Sequence, residues 1–217
     1  MPTTRHAIRE LGLKIIYLGP GRGGKTTNLQ QLYKTAQPHR RGRLVSFSAA
    51  GERTMFFDLL PLELGVFLNY RVRLHVCTAP GQLVYARTRQ LVMRGVDGIV
   101  FVADSHPERL EANVASLNDL VGLLDRQGRA LESMPFVVQY NKRDLQSVSS
   151  FEELRESLVV PAHATEIASA AKLGLGVVQT LKEITKRCLE AAGDPRLLPE
   201  GRYPSMLPLR APLAATA

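Results

Sequence analysis

The chain is short of cysteine and has no long apolar run, and both shortages narrow what it can be. Cys77 and Cys188 are its only cysteines. They lie too far apart for a metal-ligand spacing and are too few for a disulfide framework, so a reducing cytoplasm is the expected setting. No apolar stretch approaches the roughly 18 residues of a membrane-spanning helix. Met1 to Gly12 lacks the apolar core of a signal peptide, and the final residues form no lipidation signal. A visit to a membrane would therefore need a partner or weak electrostatics. Internal repeats are absent. The net charge of +8 and pI near 9.8 favour anionic partners in principle. The cations are scattered, however, except in His39-Arg40-Arg41-Gly42-Arg43. No aromatic residues interleave that run to stack bases, so it reads as a solvated loop and no nucleic-acid partner is expected.

What is present is ordinary for one soluble α/β domain with a good core: 217 residues, 45% hydrophobic and 22% charged. The stretch that organises it is Gly19-Pro20-Gly21-Arg22-Gly23-Gly24-Lys25-Thr26. It fits G-x-x-x-x-G-K-[ST], the phosphate-binding loop. Its glycines let backbone N–H groups turn toward phosphate oxygens; the lysine brings a point charge to the β- and γ-phosphates, and the threonine hydroxyl can ligate Mg²⁺. Gly19, Gly21, Gly23, Gly24, Lys25, Thr26 and Thr27 form the expected phosphate-binding set, with Thr26 also a metal ligand and Lys25 catalytic. The flanks agree. Residues 13–18 are an apolar, β-branched run, and residues 27–33 have helical spacing with Leu29, Leu32 and Tyr33 on one face. A helix N-terminus after a strand and a glycine loop binds anions.

Further along, strands are expected at 44–48, 70–76, 98–104 and 136–140, with a weak one at 165–169. Helices are expected at about 107–125, 151–157 and 176–192. In the first of these, Leu110, Val114, Leu117, Val121 and Leu124 recur at helical spacing. Residues 50–58 mix charge and aromatics without a period, and Pro80-Gly81 breaks the chain after residue 78. The alternation predicts a mostly parallel central sheet with helices on both faces, and a ligand at the C-terminal ends of its strands. The domain should end near residue 192. Residues 193–217, with five prolines and aperiodic leucines, read as an extended or disordered tail.

Asn141-Lys142-Arg143-Asp144 directly follows the 136–140 strand. It fits N-K-x-D. A carboxylate at Asp144 can accept two parallel hydrogen bonds from guanine N1–H and its 2-amino group, which adenine cannot offer. Lys142 can lay its stem along the base, and Asn141 can tie the loop together. Ala170-Ala171-Lys172 follows the weak strand, where the Ala171 N–H could meet the guanine carbonyl.

Over roughly residues 12–192 the chain resembles the Ras-like small GTPases, and within them the MglA group of bacterial polarity and gliding-motility GTPases. The closer likeness rests on the phosphate loop through Leu29, on Glu52 to Asp58, Thr78 to Gln82 and Gly95 to Ser105, and on Asn141 to Leu145. The resemblance implies a P-loop NTPase fold of the Ras-like G-domain type, GTP/GDP and Mg²⁺ as ligands, and slow GTP hydrolysis. It places Gln82 on the attacking water, Thr54 on Mg²⁺ and the γ-phosphate, Gly81 against that phosphate, and Arg53 as an arginine finger supplied in cis. Lys172 falls in the loop that closes on the base. It implies an MglB-like roadblock-domain activating protein, acting as a dimer, and a sliding strand near residues 44–48 with Phe56 and Phe57 repacking. An alternative is a GTP-binding polarity scaffold with little hydrolysis. The main departure is Thr78, where D-x-x-G places an aspartate; a threonine brings no charge to the outer Mg²⁺ shell.

Overall fold

The computed structural model describes residues 3–5, 9–47, 57–67, 69–81 and 86–192. Among them is an eight-stranded sheet: β1 (Thr3–Arg5), β2 (Glu10–Leu18), β3 (Val45–Phe47), β4 (Phe57–Phe67), β5 (Tyr70–Thr78), β6 (Gly98–Asp104), β7 (Phe136–Asn141) and β8 (Thr165–Ala168). Its order is β3-β4-β5-β2-β6-β7-β8, with β1 paired to β2. The block β5-β2-β6-β7-β8 is parallel, whereas β1, β3 and β4 join antiparallel. The helices are α1 (Lys25–Thr35), α2 (Ala86–Val92), α3 (Leu110–Asp125), α4 (Phe151–Leu158) and α5 (Val177–Ala191).

Both faces of the sheet are covered. Leu29 and Leu32 of α1 pack with Val177, Leu181, Ile184 and Cys188 of α5 on one face. Leu117, Leu120 and Leu124 of α3 pack with Leu154 and Leu158 of α4 on the other. Every residue of β6 and β7 is buried, as an uninterrupted apolar run in a covered parallel strand requires.

Three features differ from the sequence reading. First, β4 was not expected as a strand. Its Leu60, Leu62 and Leu64 alternate inward, but Pro61 and Gly65 mask the pattern. β3 covers only Phe57 to Leu59, and beyond it the Arg41–Gly42 segment meets β4, where the Gly42 N–H donates to Pro61 O at 2.8 Å, a contact that asks no N–H of the proline. Second, α2 lies where no helix was expected. Third, the buried face of α3 is broader than its spacing suggests: Leu117 and Leu124 are buried and Leu110 and Val114 pack against the core as expected, but Leu120 and Leu123 are buried too, while Val121 is 36% exposed. The final helix agrees, with Val177, Leu181, Ile184 and Leu189 all buried.

Gly98 opens β6 beneath α5. A Cβ there would overlap Cys188 Sγ and lie 3.0 Å from Ile184. Gly98→Ala should therefore lower stability by about 1–3 kcal/mol, the usual cost of overpacking a core. Thermal unfolding would show it, and the loss should shrink when Cys188 is also Ala.

Candidate nucleotide-binding site

The phosphate loop joins β2 to α1, at the C-terminal end of the parallel strands. Its glycines serve close approach as well as turning. Gly24 adopts φ +103, and a Cβ there would overlap Asn141 Nδ2. Gly81 leans on the loop so closely that a Cβ would lie 2.5 Å from Gly21 N and 2.6 Å from Lys25 Nζ. Lys25 is buried and folds back over the loop, donating to the carbonyls of Gly19 (2.9 Å) and Pro20 (2.7 Å). Burial pulls its pKa down to about 8; the guanidinium groups of Arg89 and Arg109 add to the fall, and Asp58 opposes it. Such a cation-rich cradle favours a polyanion.

The base-reading loop is physically tied to the phosphate loop. Asn141 Nδ2 donates to Gly23 O at 2.8 Å, and its Oδ1 accepts from Ala171 N at 2.9 Å. The amide of Ala171, expected at the guanine carbonyl, thus meets the Asn141 side chain here. Lys142 sits at φ +67, and its Nζ donates to Asp104 Oδ2 at 2.5 Å. Asp144 is exposed at the loop's rim. Lys172 is exposed as well, and its carbonyl accepts from Gln31 of α1 at 3.0 Å. One layer deeper, Asn28 of α1 and Gln139 of β7 exchange two hydrogen bonds at 2.9 and 3.0 Å, and Gln139 also donates to Thr180 of α5. The structure brings Gly19 through Thr27, Gly81, Asn141, Lys142, Ala171 and Lys172 to one end of the sheet. Arg53, Thr54, Phe56, Gln82 and the 193–217 tail lie outside the described residues.

Sequence reasoning missed Asp58. It opens β4 beside Thr78 of β5, and it is buried. Thr26 Oγ1 donates to Asp58 Oδ2 at 2.7 Å, Thr78 Oγ1 to the same oxygen at 3.0 Å, and Ser46 Oγ to Oδ1 at 2.7 Å. The Asp58 N–H in turn donates to Thr78 Oγ1 at 2.8 Å. A carboxylate thus stands on the strand beside the position where D-x-x-G would carry one. The absence of an aspartate at Thr78 was the available signal, but only strand pairing shows which carboxylate replaces it. The set of hydroxyl and carboxylate oxygens fits Mg²⁺, which prefers hard oxygen donors and uses few protein carboxylates beside phosphates. Among the described residues there is no cluster of three or more His, Cys, Asp or Glu that could hold a metal ion.

No protein-family model matches the chain. It is 45% identical over 189 residues to the Mutual gliding-motility protein MglA of Myxococcus xanthus (strain DK1622), covering 87% of this chain and 96% of that protein. The chain belongs to the MglA family of Ras-like small GTPases. Its mostly parallel sheet, phosphate loop and N-K-x-D loop are those of a Ras-like P-loop GTPase, a family that binds GTP and GDP with Mg²⁺. Among the described residues no helix is long and apolar enough to cross a membrane.

Two measurements test this site. Asp58→Asn keeps the shape but removes the charge, and should raise the Mg²⁺ concentration needed to retain bound GDP by about 10–100-fold. Release of a fluorescent GDP across a Mg²⁺ titration reads it, and an unchanged dependence would remove Asp58 from the metal's surroundings. Lys25 supplies the second. A base whose pKa is lowered to about 8 is partly deprotonated just above that pH, and phosphate should return its proton. GDP binding should therefore take up protons above pH 8 and take up fewer well below it, as calorimetry in buffers of different ionisation enthalpy would show.

Proposed function

We propose that this MglA-family chain is a nucleotide-dependent switch for bacterial cell polarity or gliding motility, hydrolysing GTP slowly until a partner accelerates it. The observation that carries the reading is the double tie of Asn141. It couples the loop that would read guanine to the loop that would hold the phosphates, in a chain 45% identical to a protein named for gliding motility.

In this reading each residue has a defined task. The amides of Gly21 to Lys25 and the Lys25 ammonium hold the phosphate oxygens, and Asp144 selects guanine. Thr26 and Thr54 would ligate Mg²⁺, with Asp58 and Thr78 behind Thr26. Bound Mg²⁺ supplies charge neutralisation at the β- and γ-phosphates. Gln82 orients the attacking water. Arg53 reaches the developing charge on the γ-phosphate once an MglB-like roadblock-domain dimer reshapes its segment, a contribution of roughly 10³–10⁵ in rate. Hydrolysis then releases Thr54 and Gly81, and the protein changes partners. Recruitment to a cell pole would follow from those partners. The alternative of a scaffold with little hydrolysis rests on the unusual Arg22 and on Thr78, and the charge of Asp58 beside Thr78 weakens the second of these grounds.

The deciding experiment is competition of GTP, GDP and ATP against a fluorescent guanine nucleotide, followed by hydrolysis with and without a roadblock-domain dimer. Guanine preference, slow turnover and stimulation by the partner are expected. Arg53→Ala should keep GTP affinity and lose most of the stimulated rate; stimulation that survives the substitution removes Arg53 from the chemistry. Equal ATP binding would sink the role of Asp144.

A further inference from the structure

Arg22 is an anomaly of the phosphate loop. It is a non-glycine residue at φ +63, a region that side chains seldom occupy and that glycine enters freely. Something must hold it there. The peptide that joins Gly21 to Arg22 is gripped from outside the loop. Arg109 Nη2 donates to Gly21 O at 2.8 Å. Arg109 ends the short 3-10 turn Pro107–Arg109 ahead of α3, and its Nε lies 3.8 Å from Asp104 Oδ2. Asp104 is fully buried at the end of β6 and also pairs with Lys142. A fully buried carboxylate favours keeping cations beside it, because without them its charge would be uncompensated.

The geometry has a direct consequence. In a trans peptide the carbonyl and the following N–H point in opposite directions. With Gly21 O held by Arg109, the Arg22 N–H points away from Arg109. Gly21 itself lies beside Lys25 Nζ and Gly81, to judge from how both crowd a Cβ at Gly81. We propose that Arg109, anchored by Asp104, is a positioning residue that locks the Gly21–Arg22 peptide so that the Arg22 amide faces the phosphates beyond the first, despite its strained backbone. This rests on the nucleotide-binding reading above. Without the grip, Arg22 can relax to negative φ and turn its amide away, and the loop presents one donor fewer to the distal phosphates. The same Asp104 holds Lys142, so the base loop and this part of the phosphate loop share one anchor.

The test is a double-mutant cycle on the full chain. GDP and GMP affinities are measured by competition against a fluorescent guanine nucleotide for wild type, Arg109→Ala, Arg22→Gly and the double variant. Thermal unfolding of each is recorded alongside. Arg109→Ala should weaken GDP by about tenfold and leave GMP within about twofold, since GMP lacks the phosphate that the amide serves. In the Arg22→Gly background, where positive φ carries no strain, the same substitution should cost GDP only about threefold or less. Equal GDP losses in both backgrounds, equal losses for GDP and GMP, or no loss at all would each overturn the inference. If Arg109→Ala fails to fold, Arg109→Lys carries the same comparison, because it keeps the charge but loses the fork that spans Asp104 and Gly21. A wild type that does not bind GDP would sink the nucleotide reading itself; a wild type that binds it and an Arg109→Ala variant that binds as well would sink only this proposal.

Discussion

One carboxamide joins the parts of the site. Asn141 sits at the end of β7, bonded to a carbonyl of the phosphate loop on one side and to the amide of Ala171 on the other. Asn141 is buried, and a buried amide group left unpaired is costly, so its two partners are held at fixed spacing. Three loops, from β2, β7 and β8, thereby keep one relative geometry. Beneath them, the reciprocal pair of Asn28 and Gln139 repeats the same device between α1 and β7, extended to α5 through Thr180. These polar contacts lie inside an otherwise apolar interior, where each bond is strengthened by the low local dielectric.

Charge in the site is arranged as two separate balances. At one place a buried carboxylate, Asp58, gathers the hydroxyl groups of Thr26, Thr78 and Ser46. At the other, Asp104 gathers Lys142 and Arg109. The proton affinity of Lys25 is lowered first by its burial and then by the guanidinium groups of Arg89 and Arg109. A polyanion bound there would reverse that effect, which couples ligand binding to proton uptake through one side chain. The cost of burying these charges is offset by pairing each with groups from a different element. The same pairings hold those elements to one another.

Much of this was legible in the chain alone. The glycine loop, the strand before it and the helix after it obey local rules, because phosphate binding needs backbone amides at short range in sequence. β6 announces itself as a nearly continuous apolar run, since a strand covered on both faces has little room for polar side chains, and β7 does so apart from Gln139, whose partners lie on α1 and α5. β4 was hidden because Pro61 breaks the usual strand signal, and the Gly42 N–H that meets its carbonyl is known only once the edge of the sheet is seen. The additional buried leucines of α3 have a similar cause. Leucine and valine are interchangeable to a periodicity count, and only packing against β6 and α4 selects which of them turn inward.

Sequence by itself determined the class of chemistry. Short contiguous patterns, G-x-x-x-x-G-K-T and N-K-x-D, specify donors whose spacing is set by the backbone. The tertiary structure alone decided which distant groups complete them. Asp58 accepts from the hydroxyl of Thr78, twenty residues later, and Arg109 reaches a loop carbonyl eighty-eight residues before it. Neither pairing leaves a trace in local spacing, because each arises from strand order and helix placement, and those are set by burial of the whole core.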